Sequence, residues 1–169
     1  MSVQLQTPVI TSRTRREIIF DGASEHESAQ SLVVRTSAAF NAASSRLFYA
    51  LTIPEYIETW LTPPDADDVR CMGNPAAGEP LSIEMRRDRH VTANIFADYR
   101  GISAQDLNIR WYVQSRTRDY TSQLRVSIRT IRADALLRIR HSGFAHPDDW
   151  RWHQELWGLS LAKMQMVIR

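Results

Sequence analysis

The stretch that determines the predicted fold is QLRVSIRTIRADALLRIRH, residues 123–141. Apolar residues alternate with polar or charged ones in two segments of this stretch, 123–131 and 135–141. A period of two is typical of antiparallel strands that have one face buried and the other in water. We therefore expect a hairpin that turns at residues 132–134. Its inward positions are Leu124, Val126, Ile128, Leu137, Ile139 and His141.

Three more segments are predicted as strands. Residues 108–114 show the same alternation, with Trp111 in the middle of the inward face. Residues 32–40 are predicted as the first strand of the domain. Residues 91–100 are predicted as a strand whose apolar residues fall on both faces, so the pattern does not fix its register.

Three segments are predicted as helices. Residues 43–51 and 54–61 form a short pair, and Trp60 lies at the end of the second helix. The last segment, residues 148–168, begins with two acidic residues, which suit the positive end of the helix dipole. Its apolar stripe at helical spacing includes His153, Trp157, Leu161 and Met164. The positions that widen this apolar surface are Trp152, Leu156 and Leu159.

The order of these elements predicts an α+β fold rather than a parallel sheet, because strands and helices do not alternate. The order matches a helix-grip fold, in which a curved antiparallel sheet closes around a long C-terminal helix. Four stretches resemble members of the SRPBCC (START-like, Bet v-like) superfamily, and within it the activators of the heat-shock-protein-90 ATPase. They are FNAASSRLFYALTIPEYIETWL (40–61), DLNIRWYV (106–113), LLRIRHSGF (136–144) and WRWHQELWGLSLAKM (150–164).

One stretch departs from that resemblance. Relatives of this superfamily usually have a Gly-Gly-aromatic sequence after the helical pair, where the next hairpin begins. Here the sequence is VRCMGNPAAGEPLSIEM, residues 69–85, with Gly73 alone and no aromatic residue. We therefore predict a loop at residues 73–80 and do not assign the hairpin around it.

The chain is predicted to consist of an extension, residues 1–29, followed by one helix-grip domain, residues 30–169. The extension is rich in polar and charged residues, and it has only one short apolar cluster.

The single cysteine, Cys71, cannot form an internal disulfide and suits a reducing compartment, so we expect a cytoplasmic location. We expect no membrane association, since no apolar run approaches the ~20 residues that a spanning helix needs.

Positive charge is concentrated in the middle of the chain. Residues 86–140 contain 12 arginines and five acidic residues. The strand alternation turns five of these arginines outward: Arg110, Arg125, Arg129, Arg138 and Arg140. We expect a solvated face, with contact to a protein partner or a second copy as the next possibility. Binding of nucleic acid is not expected, because exposed aromatic residues that would stack on bases are scarce among these strands.

The sequence has no G-x-S-x-G elbow, no phosphate-binding glycine loop and no C-x-x-C pair, and we expect neither a metal site nor a cofactor. We expect a non-enzymatic domain that binds a small hydrophobic molecule between the sheet and the last helix. His141 would supply one hydrogen bond to that molecule, although a buried core histidine is the commoner case. A co-chaperone-like interaction module is the alternative, and a cyclase or hydrolase using His141 ranks last. The predicted pocket walls are Trp60, Trp111, Leu124, Val126, Ile128, Leu137, Ile139, His141, Trp157, Leu161 and Met164.

Overall fold

The computed structural model describes residues 19–20 and 32–169. They form one eight-stranded sheet and three helices, with a short 3-10 turn at Pro75–Ala77. The helices are α1 (Ser44–Thr52), α2 (Pro54–Trp60) and α3 (Pro147–Val167). The strands are β1 (Ile19–Phe20), β2 (Leu32–Phe40), β3 (Asp68–Met72), β4 (Leu81–Arg87), β5 (His90–Ile102), β6 (Asp106–Ser115), β7 (Asp119–Ile131) and β8 (Asp134–Phe144).

All neighbouring strands are antiparallel, in the order β1-β2-β8-β7-β6-β5-β4-β3. Strands β3 to β8 follow one another as a meander, whereas β2 pairs with the distant β8. The sheet curves around α3, so the helix-grip architecture predicted from the sequence is confirmed. The predicted strands and helices are present, and their ends differ from the prediction by up to four residues. No described helix is long and apolar enough to cross a membrane.

The hairpin of β3 and β4 is the part that the sequence did not assign. It forms in full register, from Asp68 opposite Arg86 to Met72 opposite Ser82. Gly73 follows β3 with a φ of 125°, and a Cβ there would lie 2.3 Å from the carbonyl oxygen of Pro80. A residue with a side chain would clash at this position, so Gly73 allows the close approach of the chain to Pro80.

Helix α3 covers the concave face of the sheet. Leu156, Trp157, Leu161 and Met164 are buried, and each such side chain contributes about 1.5–3 kcal/mol on leaving water. Leu159 is 42% exposed, so the expectation that it widens the apolar surface of the helix is wrong. The helix therefore contacts the domain along one side.

The predicted extension, residues 1–29, lies outside the described residues apart from β1. This two-residue strand pairs with β2, with Ile19 opposite Ser37 and Phe20 opposite Thr36. Residues 19 and 20 thus extend the sheet by one short strand beyond β2.

Candidate functional site

The predicted pocket between the sheet and α3 is filled by the protein's own side chains. All eleven predicted wall residues are buried, with at most 3% of any one exposed. The space left among them is a cavity of about 20 Å³, lined by Trp60, Trp111, Trp157, Leu124 and Val126 together with neighbouring apolar residues. A cavity of this size holds about one water molecule, whereas small-molecule sites measure about 300–1,000 Å³.

His141 lies at the centre of this core, and both of its ring nitrogens are bound by the protein. The indole N–H of Trp157 donates to Nδ1 over 3.1 Å, and Nε2 lies 2.7 Å from the hydroxyl of Ser122. Because Nδ1 accepts, the neutral ring carries its proton on Nε2 and donates it to Ser122, an assignment made from this network. The Ser122 hydroxyl in turn donates to the carbonyl of Trp111 over 3.3 Å.

This network gives His141 a structural role in the described fold. Burial, and then the nearby His153, lower the pKa of His141 well below its usual value, so the ring is neutral at pH 7. Neither nitrogen is left to orient a ligand or to transfer a proton. These contacts are those of a buried, hydrogen-bonded core histidine rather than of a ligand-binding one.

His153 is buried beside His141, with the two ring centroids 4.5 Å apart, but its hydrogen bonding is incomplete. Its Nδ1–H donates to the carbonyl of Asp149 over 2.8 Å, which leaves Nε2 as an acceptor. Within the described part of the chain, neither this Nε2 nor the indole N–H of Trp111 has a partner. Burial lowers the pKa of His153 to about 4.

Cys71 has no features of a nucleophile. Burial, together with the negative charges of Glu58 and Glu55, raises the pKa of its thiol to about 12. The thiolate is therefore scarce at neutral pH, and the thiol is inert.

An open site lies on the opposite, outer face of the sheet. A groove of about 840 Å³ runs over β2, β8, β7 and β6, and residues 101–103 at the end of β5 form one rim. Four exposed arginines line it: Arg35, Arg125, Arg138 and Arg140. We refer to this site as the arginine groove.

The strand register fixes the positions of these arginines. Arg140 of β8 lies directly opposite Arg35 of β2 on one side and opposite Arg125 of β7 on the other. Asn108 of β6 continues the same row beside Arg125. Arg138 occupies the next outward row of β8. Three guanidinium groups thus start from adjacent positions on three strands.

The five arginines predicted to face outward are exposed, but they do not form one site. Arg125, Arg138 and Arg140 line the groove, whereas Arg129 is bound to Asp106 at its rim, 3.0 Å between Nη2 and Oδ1. Arg110 lies outside the groove.

Arg35 belongs to the groove but was not among the sequence-predicted residues. Its alternation with Val34 and Thr36 in the first strand shows that it faces outward. What the sequence did not reveal is that this strand pairs with β8, which places Arg35 beside Arg140.

Comparisons with known proteins agree with the fold but do not assign a family. No protein-family model matches the sequence, and no curated protein matches it. Solved structures do match. CalU16 from Micromonospora echinospora is 15% identical with a TM-score of 0.60, over 79% of this chain and 74% of that one. MLL2253 from Mesorhizobium loti is 20% identical with a TM-score of 0.63, over 79% and 94%. DynU16, from the dynemicin biosynthetic locus, is 12% identical with a TM-score of 0.63, over 81% and 47%.

At these identities the likeness concerns the fold alone. It does not distinguish activators of the heat-shock-protein-90 ATPase from other branches, so that narrower resemblance stays a proposal. The curved sheet, the two short helices and the long terminal helix place this chain among proteins of the helix-grip fold.

Proposed function

We propose that this protein is a non-enzymatic binding domain whose ligand or partner is acidic and occupies the arginine groove. The observation that carries the proposal is the contrast between the two faces of the sheet. The concave face keeps a cavity of about 20 Å³, whereas the outer face has an open groove of about 840 Å³. The outer groove is the larger of the two and the one that offers charge for recognition.

Catalysis in the concave core finds little support. His141 is neutral and has both nitrogens bound, so it lacks a free position for acid or base chemistry. Asp149 is the one buried carboxylate among the described residues, and it pairs with Arg118 at 3.0 Å. A cyclase or hydrolase using His141 therefore remains the weakest of the candidate functions.

A calorimetric titration tests the proposal with two anions, acetylated hexaglutamate and inorganic pyrophosphate, at about 20 mM and about 300 mM salt. We expect at least one anion to bind saturably at low salt and more weakly at high salt, because salt screens exposed charges. The double variant Arg125→Glu, Arg138→Glu should lose this binding. Arg87→Glu, at the exposed end of β4 outside the groove, should retain it. Absence of binding by both anions at low salt contradicts the proposal.

A hydrophobic ligand in the concave core is a second candidate, favoured by one observation. Trp111 lines the small cavity, and its buried indole N–H has no partner in the described part of the chain. An unpartnered donor in an apolar site would gain a hydrogen bond from a carbonyl-bearing ligand. Trp111, rather than His141, would then be the polar group of the pocket. The surrounding walls would have to separate to admit a ligand.

Tryptophan fluorescence tests this second candidate with two apolar probes, 2-undecanone and undecane. A core site predicts saturable binding of both probes, with the ketone bound more tightly. The variant Trp111→Phe should remove that preference, because it keeps an aromatic ring but lacks the N–H. Absence of saturable binding by both probes rules out the core site and leaves the arginine groove.

A further inference from the structure

Among residues 32–169, the four arginines of the groove have no acidic partner, whereas several other arginines of the sheet have one. Elsewhere, Arg86 pairs with Glu84, Arg100 with Asp98 and Arg129 with Asp106. Among residues 32–169, none of the four groove arginines makes an ion pair. In the same range, the hydroxyl of Ser142 is the one side chain that accepts a hydrogen bond from any of them, in this case Arg140. Within residues 32–169, positive charge is thus concentrated in the groove without acidic partners.

This concentration opposes the stability of the sheet. Arg140 is directly opposite Arg35 and Arg125, and like charges at opposed cross-strand positions are destabilising. Three adjacent strands are separated by about 4.8 Å each, so the row spans only about 10 Å. Arg138 lies two residues along β8, about 7 Å away. An arrangement that costs stability and has no acidic partner among residues 32–169 is typical of a binding site.

Besides the arginines, the groove is lined by hydroxyl and amide side chains, by apolar residues and by Asp106. The hydroxyls of Ser37 and Ser127 flank Arg138 at directly opposed positions on β2 and β7. Asp106 is the one acidic residue among the described lining residues, and it is already bound by Arg129. The groove therefore offers cationic and neutral donors, the set that binds the oxygens of a phosphate group.

The size of the groove favours a small molecule over a protein as its occupant. Its volume of about 840 Å³ lies within the range of about 300–1,000 Å³ found for small-molecule sites. A protein partner would instead need a surface of about 800 Å² on each side. Arginine binds phosphate through two parallel hydrogen bonds, and each phosphate group carries about −1.5 to −2 charges at pH 7. Two phosphate groups would thus balance four arginines.

From this geometry we infer that the arginine groove binds a small molecule that carries two phosphate groups, held by the row Arg35–Arg140–Arg125 and by Arg138. The inference rests on the proposed function and narrows it, since it names the acidic ligand. Inorganic pyrophosphate is the simplest probe of this chemistry.

The experiment is calorimetric titration of the full chain with pyrophosphate, orthophosphate and acetylated hexaglutamate at low salt. We expect pyrophosphate to bind more tightly than the other two. Arg35→Gln and Arg140→Gln should each weaken it at least about tenfold, since each removes a charged hydrogen-bonding pair. Arg140→Lys should also weaken it, because lysine keeps the charge but lacks the paired donors. Arg87→Gln, outside the groove, should bind as the parent protein does.

Thermal unfolding provides the folding control. Without ligand, Arg35→Gln and Arg140→Gln should melt at or above the parent's temperature, because each removes a contact between like charges. Lost binding with an unchanged or raised melting temperature therefore reports on the groove itself.

Three results would overturn the inference, and they separate it from the proposed function. If hexaglutamate binds and pyrophosphate does not, the phosphate ligand is wrong and the acidic partner stands. If neither anion binds, both proposals are wrong. If pyrophosphate binds equally well to Arg35→Gln, Arg140→Gln and the parent protein, its site lies elsewhere.

Discussion

The two buried histidines of the core, His141 and His153, differ in their hydrogen bonding. His141 and His153 are both fully buried and neutral, and their rings touch. Both nitrogens of His141 are bound by Trp157 and Ser122, whereas only Nδ1 of His153 has a partner within the described residues. Replacing His141 therefore removes two buried hydrogen bonds, and both rings make the fold sensitive to acid because burial lowers their pKa values.

The pH dependence of stability follows from these buried rings. The pKa of His153 is about 4 in the folded protein, compared with 6.5 for a histidine in an unfolded chain. Between these values the unfolded chain therefore binds a proton that the folded chain does not. The free energy of unfolding should thus fall as the pH drops from about 6.5 to about 4, by about 1.4 kcal/mol per pH unit for each such histidine. Urea unfolding across this range measures the slope.

A pair of variants isolates the contribution of His153 to that slope. His153→Phe should reduce the slope by about 1.4 kcal/mol per pH unit, because the phenyl ring does not titrate. The ring should fit, since Trp111, Tyr120, Phe144 and Trp152 already surround this position. Leu159→Phe, at an exposed position of the same helix, should leave the slope unchanged because neither side chain titrates. Equal slopes for His153→Phe and the parent protein would contradict a neutral buried His153.

Replacing His141 with leucine should destabilise the fold. Leucine leaves the indole N–H of Trp157 and the hydroxyl of Ser122 without their partner, at about 1–3 kcal/mol for each buried group. We expect a loss of about 2–4 kcal/mol in the free energy of unfolding, measured by urea denaturation at pH 7. His146→Leu, at an exposed position, should change it by less than about 0.5 kcal/mol. A loss for His141→Leu as small as that control's would show that the network contributes little.

The strands and helices are predictable because their patterns are local. The alternation in residues 123–141 determines β7 and β8 and turns His141 inward, and the apolar stripe determines α3. The β3–β4 hairpin was not assigned, although Val69 and Cys71 alternate as in the other strands. Its strand of five residues is short, and a loop signal adjoins it, so the local pattern is weak.

The site was harder to predict than the elements because it depends on distant contacts. The pairing of β2 with β8, about a hundred residues apart, brings Arg35 into the groove, and loop closure of this length leaves no local signal. The filling of the concave face depends on how side chains such as Trp60 and Trp157 pack together. Alternation gives the direction of a side chain but not the volume left between neighbours.

Helix α3 should be necessary for folding. Its four buried apolar side chains contribute about 6–12 kcal/mol together, comparable to the whole stability of a small domain. A chain ending at residue 144 should therefore show no cooperative thermal transition. In the full chain, Trp157→Ala should cost about 3–5 kcal/mol and Leu159→Ala less than about 0.5 kcal/mol. A cooperative transition in the shortened chain would contradict the helix-grip account.

The acidic segment 21–27 is expected to compete for the arginine groove. Strand β1 pairs with β2 next to Arg35, and Asp21 follows β1 directly in the sequence. Neutralising Asp21, Glu25 and Glu27 as amides should therefore tighten pyrophosphate binding at low salt, with a smaller change at high salt. Neutralising Glu79, in the exposed loop before β4, is the matched control. Equal affinities for both variants and the parent protein would contradict this competition.

The outer groove, rather than the concave core, is the proposed binding site. Backbone amide chemical shifts report on both faces in one experiment, during titration with pyrophosphate and then with 2-undecanone. Pyrophosphate should shift the amides around Ser37, Ser127 and Arg140, while those of Trp157 and Leu161 should stay in place with either probe. Saturable shifts centred on Trp111, Trp157 and α2, without any in the groove, would show that the core binds and the groove does not.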